Sequence, residues 1–379
     1  MEYGFGDESI LKVRGTIIEV HIADCHIGAF EPLKQYQFLK EQFLDQIVQL
    51  PKIDIVSVDG DLFDHKVMSN SDAAMVATRF VADLVEIVRQ KNAALVLLSG
   101  TTSHDFDQLK LFYHYMNRQD VDVRVCTTLQ FEEIHGARIL MVPELNGLDE
   151  DIYQKYFHQS GWYDEAFVHG TFEGSVYGNM VSGSSRLLTA RDFNMCKGFA
   201  VSGHVHTGGV FQGFYYYCGS PYRWRFGEEQ EKGYLVIVHD LDTQMHYTSF
   251  QPIHSFRYDT IEYNDIVEDP KKVIDWIIAK RANDGIDYIK VRFNKNIPGY
   301  NKTIINNYFR NNPFTTIEFT ARDQAEQQKQ ELVEMNQEYS YLTDPTLSDY
   351  DKFCRYVNDK EGEQIISVDA LLQLLSDKV

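Results

Sequence analysis

Cysteine is scarce in this sequence and widely scattered. The chain has five cysteines in 379 residues, and no two of them form a C-x-x-C pair. An odd number at wide spacing argues against a disulfide framework and against a thiolate zinc site. The chain also lacks long apolar runs, since stretches such as 93–98 are too short to cross a bilayer, and residues 1–14 do not resemble a signal peptide. We therefore expect a soluble protein of a reducing cytoplasm.

Positive charge is the second shortage. The sequence has 36 Lys and Arg residues against 56 Asp and Glu residues, which gives a formal net charge of -20. So acidic a chain does not attract polyanions over long distances, which argues against a role in simply coating DNA. An enzyme that acts on nucleic acid is still compatible with this charge, because metal ions, a local basic patch or a partner subunit can contact phosphates.

Strand and helix patterns alternate from residue 16 onward, which predicts the α/β fold class. The predicted order begins with strand 16–22, helix 36–50, strand 53–58, helix 73–91 and strand 94–98. Later segments are short, apolar and richer in strands. We therefore expect a sheet-on-sheet core flanked by helices.

The composition changes along the chain and divides it into five predicted segments. After a loose tail (1–14) and a main domain (15–252), the order strand, helix, strand, helix, strand predicts a small α+β module (253–322). A polar linker (323–345) and a segment with two short helical patterns (346–379) follow. The apolar face of the last helix could grip a partner or pack on its own domain; the preceding linker favours a partner.

The same few polar residue types recur where five predicted strands end. The carboxyl ends of strands converge on a common crevice in sheet proteins. Residues two apart in extended chain point to the same side, so two of the motifs can each offer a pair of ligands to one ion. The five motifs are Asp24-Cys25-His26, Gly60-Asp61-Leu62-Phe63-Asp64, Ser103-His104-Asp105, His169-Gly170 and Gly203-His204-Val205-His206.

Imidazole and carboxylate ligands without cysteine suit manganese, iron or zinc. One carboxylate, best assigned to Asp61, can bridge two ions about 3.5–4 Å apart, and such a pair activates water for attack on a phosphate ester. Each motif alone also has a structural interpretation, since aspartates commonly cap the turns that contain them. The ordered set at five strand ends favours a single metal site.

In this order the motifs resemble those of the calcineurin-like metallophosphoesterases. The GDLFD sequence of residues 60–64 and the GSPYR…FGE…EKGY stretch of residues 219–234 are similar to the DNA-repair exonuclease group, the SbcD-like nucleases. The resemblance covers about residues 16–250 by motif and 253–322 by arrangement only. It implies a two-sheet sandwich flanked by helices, with a small α+β cap domain that faces DNA and C-terminal helices.

The resemblance also implies a role for each motif residue. His104 would protonate the leaving oxygen or stabilise charge in the transition state, and Asp61 would bridge the ions, most naturally two Mn²⁺, with Mg²⁺ as the alternative. Ser103 stands where the family usually has asparagine, and its hydroxyl is the poorer ligand. One ion would be held by Asp24, His26, Asp61 and His206, and the other by Asp61, Ser103, His169 and His204.

By the same resemblance, the chain would be a DNA exonuclease and endonuclease of repair or recombination in a bacterium or bacteriophage. Its partners would be DNA, an SbcC-like coiled-coil ATPase and a second copy of itself. It would not bind a membrane. Arg223 and Arg225, which alternate with aromatic residues, are candidates for DNA contact, as are Lys290 and Arg292 in the small module. All four also fit an ordinary solvated surface.

Two other functions remain open on the sequence alone. The chain could be a phosphatase or a cyclic-nucleotide phosphodiesterase on the same scaffold, although the small module and the 219–234 stretch argue against it. It could also be a DNA-binding scaffold with weakened catalysis, because Ser103 replaces the usual asparagine.

Overall fold

The computed structural model describes residues 15–145, 147–175, 186–295 and 297–319. The chain divides into two compact units, Met1–Phe256 and Arg257–Val379, so the division falls four residues beyond the predicted boundary. The predicted tail, the linker and the C-terminal helical segment lie outside the described residues. Among the described residues, no helix is both long and apolar enough to cross a membrane.

Unit 1 contains two mixed six-stranded sheets. The first has the order β12-β11-β1-β2-β3-β4 and the second the order β5-β6-β7-β8-β10-β9. The strands are β1 (Thr16–Ile22), β2 (Ile55–Asp59), β3 (Ala94–Leu98), β4 (Asp122–Cys126), β5 (Gln130–Ile134), β6 (Ala137–Val142), β7 (Tyr163–His169), β8 (Cys196–Gly203), β9 (Gly209–Phe211), β10 (Tyr215–Tyr217), β11 (Lys232–Asp240) and β12 (Met245–Ile253).

Helices flank these sheets. They are α1 (Pro32–Leu39), α2 (Asp45–Ile47), α3 (Asp72–Lys91), α4 (Thr102–Asp105), α5 (Tyr113–Met116) and α6 (Glu150–Phe157), with a π-helical turn at Lys40–Leu44 and 3₁₀ turns at Gln108–Phe112 and Ala190–Phe193. The helix predicted at 36–50 in fact begins at Pro32, because the Glu31 side chain caps the first turn, and it is not one regular α-helix. The predicted α/β class is confirmed as two mixed sheets flanked by helices.

The two large sheets pack face to face. Apolar side chains from β1, β2 and β3 form one buried cluster with side chains from β6 and β7. The longest helix, α3, is capped by the Ser71 hydroxyl, ends at left-handed Asn92 and buries its apolar face. This arrangement brings the carboxyl ends of β1, β2 and β3 to the same edge as those of β7 and β8.

The described residues of unit 2 have the predicted order of strand, helix, strand, helix, strand, but their parallel strands with alternating helices form an α/β rather than the predicted α+β arrangement. Its three-stranded sheet has the order β13-β14-β15 with parallel pairing throughout. Asp269 caps the first helix and proline occupies its first turn, a standard start signal. The elements are β13 (Tyr258–Tyr263), α7 (Pro270–Asn283), β14 (Tyr288–Phe293), α8 (Gly299–Phe309) and β15 (Thr315–Phe319).

Candidate metal centre

The structure brings six of the predicted metal ligands and His104 into one cluster. Three groups of side chains have ligand atoms that all lie within 4.8 Å of one another, and Asp61 and His26 each belong to two of the groups. Buried His and Asp groups of this kind can hold a metal ion. The groups are Asp24, His26 and His206; His26, Asp61 and His104; and Asp61, His169 and His204.

Asp61 lies between the two sides of the cluster. Its Oδ2 atom is 3.7 Å from His26 Nε2 on one side and 3.3 Å from His169 Nε2 on the other. On the His26 side, Asp24 Oδ1 is 3.9 Å from His26 Nε2 and 4.0 Å from His206 Nε2. One carboxylate is therefore near both sets of imidazoles, as a bridging ligand must be.

The loops that present these ligands have unusual backbone geometry. Asp24, His26, Asp61 and His204 have φ values of 52°, 41°, 50° and 82°, in the left-handed region that non-glycine residues rarely adopt. Hydrogen bonds between the β1 and β2 loops hold two of them, from Asp24 N to Gly60 O (3.1 Å) and from His26 N to Asp61 O (2.9 Å). Such strain persists where the surroundings enforce it, and it is concentrated at functional sites.

Asp105 organises the loops under the cluster, a role that the sequence did not suggest. Its fully buried carboxylate accepts hydrogen bonds from the backbone N–H groups of Asp61 (3.1 Å), Phe63 (3.0 Å) and Gly100 (2.7 Å). Gly100 must lack a side chain, because a Cβ there would collide with Asp61. The loops after β2 and β3 are thus tied together at the point where Asp61 enters the cluster.

Two other contacts hold histidines of the cluster, one at the ring and one at the backbone. His169 Nδ1 is 2.9 Å from the carbonyl oxygen of Asp59, so it donates there and leaves Nε2 for a ligand. The buried ammonium of Lys232 donates to the carbonyl oxygen of His206 at 2.8 Å. The contact of His169 is of the kind that fixes the ring orientation of metal-binding histidines, whereas the contact of Lys232 holds the backbone at His206.

Burial shapes the protonation of the cluster. Burial lowers the pKa of His206 to about 3, with help from Lys232, and lowers the pKa of His204 to about 4. Burial raises the pKa of Asp24 to about 7, with a further contribution from Asp61. For His169, burial would lower the pKa, but the attraction of Asp61 outweighs it and raises the pKa to about 10.

The buried imidazole of His26 is the observation that most favours a divalent ion in this cluster. His26 is only 2% exposed, and neither of its ring nitrogens has a hydrogen-bond partner among the described residues. Buried polar groups are normally satisfied, so Nε2, which faces Asp24 and Asp61, calls for a partner that the described residues do not supply. Nδ1 lies 3.7 Å from the Asp64 carboxylate. Cys25, between the two candidate ligands of its motif, is buried.

Thr101, rather than Ser103, provides the hydroxyl nearest to the predicted ligands. Thr101 Oγ1 lies 3.1 Å from Asp61 Oδ2, 3.3 Å from His169 Nε2 and 3.4 Å from His204 Nδ1. Ser103 is exposed on α4. The geometry therefore corrects the ligand assigned to Ser103: the first residue after Gly100 reaches the cluster, and the residue before His104 faces outward.

His104, like His169, is held by a main-chain carbonyl oxygen. Its Nδ1–H donates to the carbonyl oxygen of Asp64, and its ring centroid is 4.6 Å from that of His26. The main-chain contact fixes the ring at the edge of the cluster. His104 therefore lies beside His26 and Asp61, where an imidazole can either bind an ion with them or transfer a proton.

Trp224 and Arg225 lie close together along the chain but differ in exposure. The Trp224 ring centroid is 4.0 Å from that of His26 and 5.1 Å from that of His206, so the indole lies against the cluster. The Arg225 side chain is 75% exposed, with its Nε 3.6 Å from Glu228. Arg223 is half-buried and its backbone N–H donates to Ser255.

The basic residues predicted in unit 2 are largely neutralised by acidic neighbours. Lys290 Nζ is 2.8 Å from Glu318, and Arg292 is 2.7 Å from Glu318 and 3.7 Å from Glu262. Lys302 of α8 is only 6% exposed and lies over the Phe319 ring. The surface around the candidate DNA contacts Lys290 and Arg292 is therefore less positive than the sequence suggests.

No family model matches the chain, and no curated protein matches it. Among the solved structures that are similar to the chain, one is a crystal structure with a TM-score of 0.36 and 11% sequence identity. That match covers 62% of this chain and 99% of the other. A likeness of this size identifies neither a family nor an activity.

Proposed function

We propose that the chain is a two-metal phosphodiesterase of the calcineurin-like kind that cuts DNA. The observation that supports this most is the position of Asp61, whose carboxylate is within 4 Å of imidazoles on both sides of the cluster. One ion would be held by Asp24, His26 and His206 with Asp61, here called the Asp24 site. The other would be held by Asp61, His169 and His204, here called the His169 site.

When bound, the two ions, most naturally Mn²⁺, would supply an activated water and neutralise charge on the phosphate. The protein's own groups perform the remaining tasks. Asp61 fixes the two sites relative to each other, while Asp105 holds the loops that carry Asp61. His104, with its Nδ1–H committed to Asp64, offers its other nitrogen to protonate the leaving oxygen.

DNA is proposed as the substrate because aromatic and cationic groups flank the cluster. Trp224 packs against two of the predicted ligands, and Arg225 is exposed next to it. Aromatic rings that stack on bases and cations that contact phosphates are the usual means of binding unpaired strands. As part of the proposal, an SbcC-like ATPase and a second copy of the chain would act with it on DNA ends.

A second candidate is a phosphodiesterase of small substrates on the same centre. It is favoured by the ion pairs that neutralise Lys290 and Arg292, together with the net charge of -20. Neither feature attracts a long polyanion.

One experiment separates these candidates. The purified full chain is incubated with Mn²⁺ and either linear duplex DNA or bis(p-nitrophenyl) phosphate, beside an Asp61→Asn variant. The matched control is Asp107→Asn, the same change at a side chain that is 83% exposed.

The proposal expects wild type and control to degrade DNA and Asp61→Asn to lose this activity. Hydrolysis of the small ester alone would favour the second candidate, and no hydrolysis of either would contradict both.

A further inference from the structure

The Thr101 hydroxyl lies in a position that suits a metal ligand. Its distances to Asp61 Oδ2, His169 Nε2 and His204 Nδ1 are 3.1, 3.3 and 3.4 Å. Atoms that bind one ion at about 2.1 Å in tetrahedral or octahedral geometry are separated by about 3.0–3.4 Å. The distances from the Thr101 oxygen to these three atoms are thus those expected for one more ligand of an ion in the His169 site.

The chemistry of the hydroxyl permits this role. A threonine hydroxyl has one proton and two lone pairs, so it can donate to Asp61 Oδ2 while a lone pair faces an ion. The backbone N–H of Thr101 also donates to Asp61 Oδ1, at 2.5 Å, which fixes the residue against the shared carboxylate. Thr101 therefore engages both oxygens of Asp61.

The two sites differ in charge. The Asp24 site has the carboxylate of Asp24 in addition to a share of Asp61. Among Thr101, Asp61, His169 and His204, the shared Asp61 is the only anionic group, because the hydroxyl is neutral. An ion in the His169 site is thus attracted less strongly.

We propose that Thr101 is a ligand of the His169 site and that this neutral ligand makes it the weaker of the two sites. The proposal rests on the two-metal function proposed above and adds a form of regulation to it. The Asp24 site fills first, and the His169 site fills only as the free concentration of the metal rises further. Activity then rises over the concentration range in which the second ion binds.

The test is a titration of the metal-free full chain with Mn²⁺, by calorimetry and by electron paramagnetic resonance, which counts free and bound ions. Thr101→Val removes the hydroxyl but keeps the shape, and Thr101→Ser keeps the hydroxyl. Thr102→Val is the matched control, since it makes the same change at the adjacent exposed residue. Far-UV circular dichroism of each variant reports whether the fold is retained.

We expect wild type to bind two ions with unequal affinities. Thr101→Val should weaken only the second ion, by tenfold or more, while Thr101→Ser and Thr102→Val should bind both as wild type does. Unchanged binding of both ions by Thr101→Val would overturn the assignment of Thr101 and leave the two-metal function intact. A wild-type chain that binds fewer than two ions at millimolar Mn²⁺ would overturn the function as well.

Discussion

The Nδ1–H of His104 donates to a main-chain oxygen of the loop after β2, as that of His169 does to the last residue of β2. The proposed Asp24 and His169 sites have their ligands without His104, so its ring is available to act on the substrate. Its proposed role is therefore in proton transfer.

His104→Ala is expected to lower kcat by about 10²–10⁴-fold, the usual contribution of a general acid or base. Both Mn²⁺ ions should remain bound, because the Asp24 and His169 sites keep their ligands. Turnover of the small phosphodiester and manganese content are the two measurements. Loss of an ion together with activity would show that His104 is a ligand, contrary to its proposed role.

Arg225 can contact a phosphate because its side chain is 75% exposed, and its ion pair with Glu228, at 3.6 Å, is a weak surface contact that a phosphate can replace. Arg225→Ala is expected to weaken DNA binding and to lower the slope of log affinity against log salt by about one. Hydrolysis of the small ester should be unchanged. Arg118→Ala, at another exposed arginine paired with an acid, is the control. If both variants give the same slope of log affinity against log salt, Arg225 does not contact DNA.

At the scale of elements, the contact between the two sheets contains a buried polar network. His21 of β1 lies 2.9 Å from Asp59 of β2 and 3.1 Å from Glu19, and all three are fully buried. Across the sheet interface, Glu165 of β7 pairs with His239 of β11. Asp59 also accepts His169 through its carbonyl oxygen, so the network lies directly below the candidate metal centre.

His21→Asn should destabilise the protein strongly, by about 3–5 kcal/mol, because the change leaves buried carboxylates without their cation. Urea denaturation with the metal-free chain measures the free energy of unfolding. His114→Asn, at an exposed histidine, is the control and should change it by less than about 0.5 kcal/mol. A similar small effect at His21 would mean that the network contributes little to the contact between the sheets.

The same network predicts a pH dependence. Burial would lower the pKa of His21, but Asp59 and Glu19 outweigh it and raise the pKa to about 10. The usual value in an unfolded chain is about 6.5, so this stabilisation is complete below that pH and is lost as pH rises through about 10. The stability difference between wild type and His21→Asn should therefore shrink between pH 7 and pH 10. A constant difference would contradict a charged His21.

Over the whole molecule, the candidate metal ligands could be predicted from the sequence, whereas contacts that depend on loop geometry and strand pairing could not. Only a few residue types bind metal, so Asp24, His169 and their partners were recognisable at strand ends. The hydroxyl next to the cluster was misassigned, because spacing from His104 selects Ser103 whereas the turn after Gly100 presents Thr101. The acidic neighbours of Arg292 were hidden for a similar reason, since strand pairing places Glu262 and Glu318 on either side of it.

Metal binding should stabilise the whole of unit 1, because the ligands come from both large sheets. An ion present at 100 times its dissociation constant stabilises the folded state by about 2.7 kcal/mol. Mn²⁺ is therefore expected to raise the melting temperature of the wild type and to have little effect on Asp61→Asn. The control is Asp107→Asn, which should respond as wild type does; equal shifts in all three proteins would place the ions elsewhere.

Anomalous diffraction from crystals soaked in Mn²⁺ shows whether Asp61 lies between two ions, as proposed. We predict two anomalous peaks about 3.5–4 Å apart, with the Asp61 carboxylate between them. One peak should lie beside Asp24, His26 and His206, and the other beside His169, His204 and Thr101. Peaks remote from Asp61, or none in this cluster, would contradict the account.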